Sequence, residues 1–137
     1  MSLLKTLKRD ERGVAVIEIA IVLPVLILFI WGIFQVGILY QANAGMQHAL
    51  GQGARHATLC LSPDPCENPT AAAVKSEIEA AVFGTEPGTF AVPTPTTDSS
   101  GRMTLTVNYT QPMNFLFFPG PTVNLTRSKV VYLAPTS

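Results

Sequence analysis

The chain has 137 residues, a formal charge of zero, 47% hydrophobic residues and only 13% charged ones. A balanced charge leaves no footprint for nucleic acid, and so sparse a charged surface suits packing against membrane or related chains rather than a freely soluble enzyme. Beyond the apolar N-terminal run, roughly a hundred residues remain, enough for one small core and too few for two.

The first element is a basic leader with Lys5, Lys8, Arg9 and Arg12, ending at Gly13. From Val14 to Tyr40 the sequence is nearly all apolar, and after Glu18 no charged residue appears until Arg55. About 20 such residues cross a bilayer. The basic flank predicts a cytoplasmic N-terminus and a chain that lies outside the cytoplasm from about Gln41 onward.

Glu18 is the anomaly in this run. A carboxylate within the bilayer costs roughly 2.5 to 3.5 kcal/mol and usually faces a partner; the plainer alternative is an interfacial side chain reaching the headgroups. A cut after Gly13 would give Val14 a new α-ammonium and make Glu18 the fifth residue of the trimmed chain. Between helices staggered along one axis, that cation and that anion would neutralise each other and fix the register. Two rival processing routes are an uncleaved signal anchor and conventional secretion with a cut near Ala42-Asn43-Ala44. The apolar run is longer than the 7 to 15 residues of a signal h-region.

Pro24 removes a backbone hydrogen bond inside the span and predicts a kink near Ala20. Gly32, Gly37, Gly45, Gly51 and Gly53 place small residues along one helix, which admits close approach by other helices. Trp31 and Tyr40 fit an interfacial belt, although Trp31 is deep for that and reads better as packed. Past Tyr40 the helix is expected to continue as an amphipathic stem, because Met46, Ala49, Leu50, Gly53, Ala54 and Ala57 keep helical spacing with Gln47, Gln52 and Arg55 between them. His48 and His56 fall near one face of it and read as polar stem residues rather than a metal pair.

These residues resemble the type IV prepilin class, in which a short basic leader ends in glycine and glutamate stands at the fifth mature position. Within that class the chain is most similar to TadE-like pseudopilins of tight-adherence (Flp) pilus systems. Arg12-Gly13-Val14-Ala15-Val16-Ile17-Glu18, Val22-Leu23-Pro24-Val25-Leu26, Gly32-Ile33-Phe34-Gln35-Val36-Gly37 and Gly53-Ala54-Arg55-His56-Ala57 carry the likeness, over about the first sixty residues. The resemblance implies trimming at Gly13/Val14 by a prepilin peptidase, assembly with other pilin or pseudopilin subunits through Glu18 and the Pro24-bearing helix, and a bacterial inner-membrane location. Ile19 stands where major Flp pilins have tyrosine, which favours a minor subunit. A type II secretion pseudopilin and a signal-anchored envelope protein with a ligand- or surface-binding distal domain are the competing readings.

Beyond the stem, Cys60 and Cys66 bracket Leu61-Ser62-Pro63-Asp64-Pro65 and are expected to close a small disulfide ring in an oxidising compartment. Asn68-Pro69-Thr70 reads as a cap, opening a helix through Val82 with Val74, Ile78, Ala81 and Val82 on one stripe, Lys75 paired with Glu79, and Gly84 as its end.

Pro93 to Gly101 is a loop by composition. Strands are predicted at Thr89 to Val92, at Met103 to Tyr109 with Leu105 and Val107 facing away from Thr104 and Thr106, and at Val123 to Leu133 with a break near Arg127. Phe115-Leu116-Phe117-Phe118-Pro119-Gly120 joins the last two and is expected to plug the core; the alternative is an exposed patch for a partner. Asn108-Tyr109-Thr110 and Asn124-Leu125-Thr126 match the short glycosylation pattern. No acid, base or nucleophile arrangement and no phosphate loop is visible, so neither an enzyme nor a cofactor is expected.

The expected fold is α+β, with a leader over 1–13, a transmembrane and stem helix over 14–59, and a small extracytoplasmic domain over 60–137. That domain holds a short helix and a small antiparallel sheet.

Overall fold

A computed structural model of the chain describes residues 11–59, 61, 66–84 and 86–134. Its dominant element is helix α1, Glu11–Ala57, 47 residues of unbroken α-helix. At about 1.5 Å per residue that is roughly 70 Å, more than twice the hydrocarbon thickness of a bilayer. The helix runs through Pro24 without interruption. It ends at Ala57, ahead of Ser62 as the stem periodicity requires.

Helix α2 spans Ala71–Ala81, shorter than the expected run to Val82. Thr70 caps it, its hydroxyl accepting from the Ala73 amide at 3.2 Å. At the other end Val82 is already extended and Gly84 takes φ +75°, so the glycine serves the turn that follows rather than the last helical residue. Lys75 and Glu79 form the expected i,i+4 pair at 3.7 Å.

The sheet has four antiparallel strands: β1 Thr89–Ala91, β2 Thr96–Thr97, β3 Arg102–Phe115 and β4 Phe118–Tyr132. Strand β3 is its spine. β4 pairs with it along nearly its whole length, while β1 and β2 pair with Asn108 to Thr110 and with Met103 and Thr104. Alternation decides the faces: Met103, Leu105, Val107, Tyr109 and Gln111 are buried, and the residues between them are not.

Three expectations are corrected. The Pro93 to Gly101 segment is not all loop, because Thr96 and Thr97 add a short strand to β3. β4 shows no break near Arg127, which pairs in register with Val107. The irregularity lies instead between Pro112 and Asn114, where proline has no N–H to give the ladder.

The third correction concerns the apolar segment 115–120. Both strands extend into it, leaving Leu116 and Phe117 as the turn of a long hairpin. Leu116, Phe117 and Phe118 are 53%, 72% and 53% exposed, so they do not fill the core. The core is instead closed by small residues on α1.

The expectation that glycines admit another helix is met at Gly53, where the approaching helix is this chain's own α2. A Cβ on Gly53 would lie 2.2 Å from Ile78 Cγ1, and one on Gly45 would lie 2.4 Å from the carbonyl oxygen of Phe83. These two glycines therefore seat this chain's own α2 and the turn behind it. Gly37 and Gly51 face open space.

The core lies between the upper half of α1, α2 and the inner face of the sheet. Met46, Ala49, Leu50, Gly53, Ala54 and Ala57 are buried as the stem spacing requires, joined by Ala42, Val74, Ile78 and the inward residues of β3.

Candidate functional site

Two features of α1 stand out: a bare apolar surface near its N-terminal end, and a polar clamp where the distal domain first touches it. From Gly13 the helix is long and apolar enough to cross a membrane, and the most apolar window of that span is not covered by the rest of the chain. Val14, Val16, Ile17, Ile19, Ile21, Val22, Leu23, Val25 and Leu26 are all exposed. So many uncovered aliphatic side chains would be intolerable in water and mark a surface for lipid or other helices.

The residues singled out in the sequence fall on this surface. Gly13 and Val14 are exposed on continuous helix, one turn before Glu18, whose side chain is also exposed. Spacing of i,i+4 puts Val14 and Glu18 on the same face. Among the described residues Glu18 takes part in neither of the two ion pairs, Lys75 to Glu79 and Arg102 to Asp98. Pro24 is partly covered. The leader charges Lys5, Lys8 and Arg9 lie outside the described residues, as do Cys60 and Asp64. Cys66 is described, and among the described residues no cysteine is a free thiol.

The clamp was not anticipated. Trp31 Nε1 donates to the carbonyl oxygen of Asn114 at 2.7 Å, and Gln35 Nε2 donates to the same oxygen at 3.0 Å. Gln111 Nε2 in turn donates to Gln35 Oε1 at 2.9 Å, and the Tyr109 hydroxyl donates to Gln111 Oε1 at 3.0 Å. Gln35 and Gln111 are both buried. Burial pushes the Tyr109 phenol above its ordinary value, with the backbone hydrogen bond to Gly88 acting the other way.

A signal for this network existed. Gln35 is the only amide in the apolar run, and Gln111 sits at the inward parity that Leu105, Val107 and Tyr109 establish. Trp31 is thus a packed, hydrogen-bonded residue.

Higher on the stem, Arg127 Nε donates to Asn43 Oδ1 at 2.8 Å, and His48 Nδ1 meets the Ala81 carbonyl oxygen at 3.3 Å. His48 therefore ties α1 to the end of α2. No group of three His, Cys, Asp or Glu side chains among the described residues is placed to hold a metal. The two sequon-like segments face each other across β3 and β4, where Thr126 Oγ1 donates to Asn108 Oδ1 and Thr110 Oγ1 to Asn124 Oδ1, each at 2.9 Å.

Compared with known proteins, residues 13–55 match the family model described as TadE-like protein. The matched segment begins at the Gly13/Val14 junction and ends inside the buried stem, so it covers the bare surface, Glu18, Pro24 and the α1 side of the clamp. No curated protein and no solved structure matches the chain. A TadE-like segment on one long apolar helix fits a membrane-associated protein of a tight-adherence pilus system.

Proposed function

We propose that this chain, TadE-like over residues 13–55, is a minor pilin or pseudopilin that assembles through the bare half of α1 into, or at the base of, a tight-adherence pilus. The role is one of assembly rather than catalysis, in support of pilus biogenesis and surface adhesion. The observation that carries it is the coincidence of three things on one helix: the matched segment, an apolar surface that the chain itself leaves uncovered, and one carboxylate near the start of that surface.

A prepilin peptidase cuts between Gly13 and Val14 at the cytoplasmic face of the inner membrane, and the distal domain faces the periplasm or the exterior. The Val14 α-ammonium of one subunit then meets Glu18 of a neighbour displaced along the axis. Water is scarce there and the pair offsets the roughly 2.5 to 3.5 kcal/mol that a lone buried carboxylate costs. Pro24 weakens the backbone ladder one turn beyond Glu18, a joint that eases withdrawal of the helix from lipid. The Cys60–Cys66 disulfide closes the turn between stem and α2.

The N-terminal residue and intact mass of the membrane-extracted native protein test the maturation step. The expected chain starts at Val14 and is lighter than its reduced form by a pair of hydrogens. A chain starting at Met1 or Ser2 overturns the trimming and favours a signal-anchored envelope protein. In a strain that makes pili, Glu18→Val is expected to be trimmed normally while filament output collapses. Unchanged output would remove the register role of Glu18.

A further inference from the structure

The hairpin tip, dismissed by the core as filler, lies at a telling height along α1. The Phe115 ring sits between two glycines: its Cε1 is 3.9 Å from where a Cβ on Gly32 would be, and its Cε2 is 2.8 Å from where one on Gly120 would be. Trp31 and Gln35 fasten the adjacent Asn114 carbonyl to the helix. The tip is therefore pinned to α1 beside Leu28 to Gly32, while the rest of the domain packs higher up.

That level is membrane. Counting about 20 residues from Val14, the number needed to cross the hydrocarbon core, ends at Ile33. Placing the span later, from Ile19 to Ile38, sinks the tip deeper still. The β3–β4 hairpin is suited to such a place, since it has no charged residue from Met103 to Thr126. Phe115 and Phe118 pair across the turn with rings stacked at 5.3 Å, while Leu116, Phe117 and the outer part of Phe118 are left uncovered.

We propose that Leu116, Phe117 and Phe118 are sunk in the distal boundary of the same bilayer that α1 crosses, so that the chain grips the lipid at two points. The occupant follows from position. Whatever surrounds Leu28 and Phe29 of α1 also surrounds the tip, and before assembly that is acyl chain and headgroup. Aromatic and aliphatic side chains on a paired hairpin enter this boundary without stranding a charge, and the polar clamp just above marks where the protein leaves the lipid. A second consequence is orientational: with the tip in lipid, the domain cannot swing about α1, and its outer sheet face is presented in one direction.

This inference rests on the span of α1 and not on trimming or filament assembly. The test uses the full chain in phosphatidylcholine/phosphatidylglycerol vesicles, carrying one tryptophan at a time in a Trp31→Phe background, with Gln35 still holding Asn114. Phe117→Trp is expected to emit at shorter wavelength and to lose most of its emission to lipids brominated near the top of the acyl chain. Thr97→Trp, on an exposed strand, is expected to stay unquenched, and Ile21→Trp to be quenched by deeply brominated lipid. Quenching at Ile21→Trp with none at Phe117→Trp overturns the proposal and leaves the span intact. No quenching at either overturns both. Protection of Phe117→Trp only in assembled filaments, without lipid quenching in vesicles, would assign the tip to a neighbouring subunit instead.

Discussion

Up to about Gly37, α1 leaves nearly all its large side chains uncovered, whereas from Ala42 to Ala57 it hides Ala42, Met46, Ala49, Leu50, Ala54 and Ala57 under its own domain. The more hydrophobic half is the exposed one. The buried half earns its contacts through smallness, because Ala and Gly let α2 approach the helix axis, and Ile78 fills the space that Gly53 vacates. The bare half is built of Ile, Leu, Val and Phe, whose bulk suits lipid or staggered helices and would hold a folded domain at a distance. Hydropathy therefore identifies the stretch of α1 that is apolar enough to cross a membrane and left uncovered, and residue size identifies where the helix meets the rest of the chain.

The sharpest way to break this comparison is to add bulk to each half. Gly53→Val drives a branched side chain into Ile78, with even its Cβ only 2.2 Å from Cγ1. A loss of about 1 to 3 kcal/mol is expected from overpacking, read as a lower urea midpoint in detergent. Gly37→Ala meets nothing within 4 Å and is expected to leave the midpoint unchanged or slightly raised. Equal losses at both positions would mean that the two halves do not differ in what covers them.

The boundary between the halves is the polar clamp, and Gln35→Leu attacks it. The substitution leaves Gln111 Nε2 a buried donor without its acceptor, at a cost of about 1 to 3 kcal/mol. Asn114 keeps the Trp31 bond, so the hairpin loosens rather than detaches. Hydrogen exchange is expected to quicken at Met113 to Phe118 and to change little at Met103 to Val107. Uniform quickening would show the clamp to be an ordinary part of the core, with no special hold on the tip.

Much of this architecture is legible in the sequence, for stated physical reasons. The span follows from an apolar run that no water-soluble helix would expose, the stem from helical spacing of Met46 to Ala57, and the inner face of β3 from strict alternation at Leu105 and Val107. The hairpin tip is not legible in the sequence because apolar content does not distinguish a side chain that fills a core from one left uncovered, as a lipid contact would be. The exposure of Leu116, Phe117 and Phe118 rules out the first, and the height of Phe115 against Gly32 is the ground for proposing the lipid contact. The short β2 was missed because Thr96 and Thr97 lie in Pro- and Ser-rich surroundings, and their pairing with Met103 and Thr104 is a tertiary fact. The role of Gln35 is not legible locally, since its partner Gln111 is 76 residues away.

The smallest expected effect lies far from both halves of α1, at the turn where Asp98 holds the chain between β2 and β3. Its Oδ1 accepts from the Arg102 and Ser100 amides at 3.0 and 2.9 Å, and its Oδ2 meets Arg102 Nη2 at 2.7 Å. The Arg102 backbone hydrogen bond, followed by that residue's side chain, holds this carboxyl below the usual range. A depressed folded-state pKa contributes stability that is present above the ordinary carboxylate value and is lost as pH falls through the depressed one. Acid should therefore loosen this turn, and Asp98→Asn should remove that part of the pH dependence while leaving neutral-pH stability only slightly lower. Urea midpoints from neutral pH into the acid range, for wild type and Asp98→Asn, check the slope. Because both groups are exposed, added salt is expected to shrink the Arg102 ion-pair share of the difference. Glu86 lines the cavity beside Trp31 and Gln35, so the control is made in a Glu86→Gln background. There Trp31 emission should not follow the Asp98 titration, because the hydrogen bonds of the clamp contain no carboxylate, and a parallel change would tie the far turn to the hairpin tip.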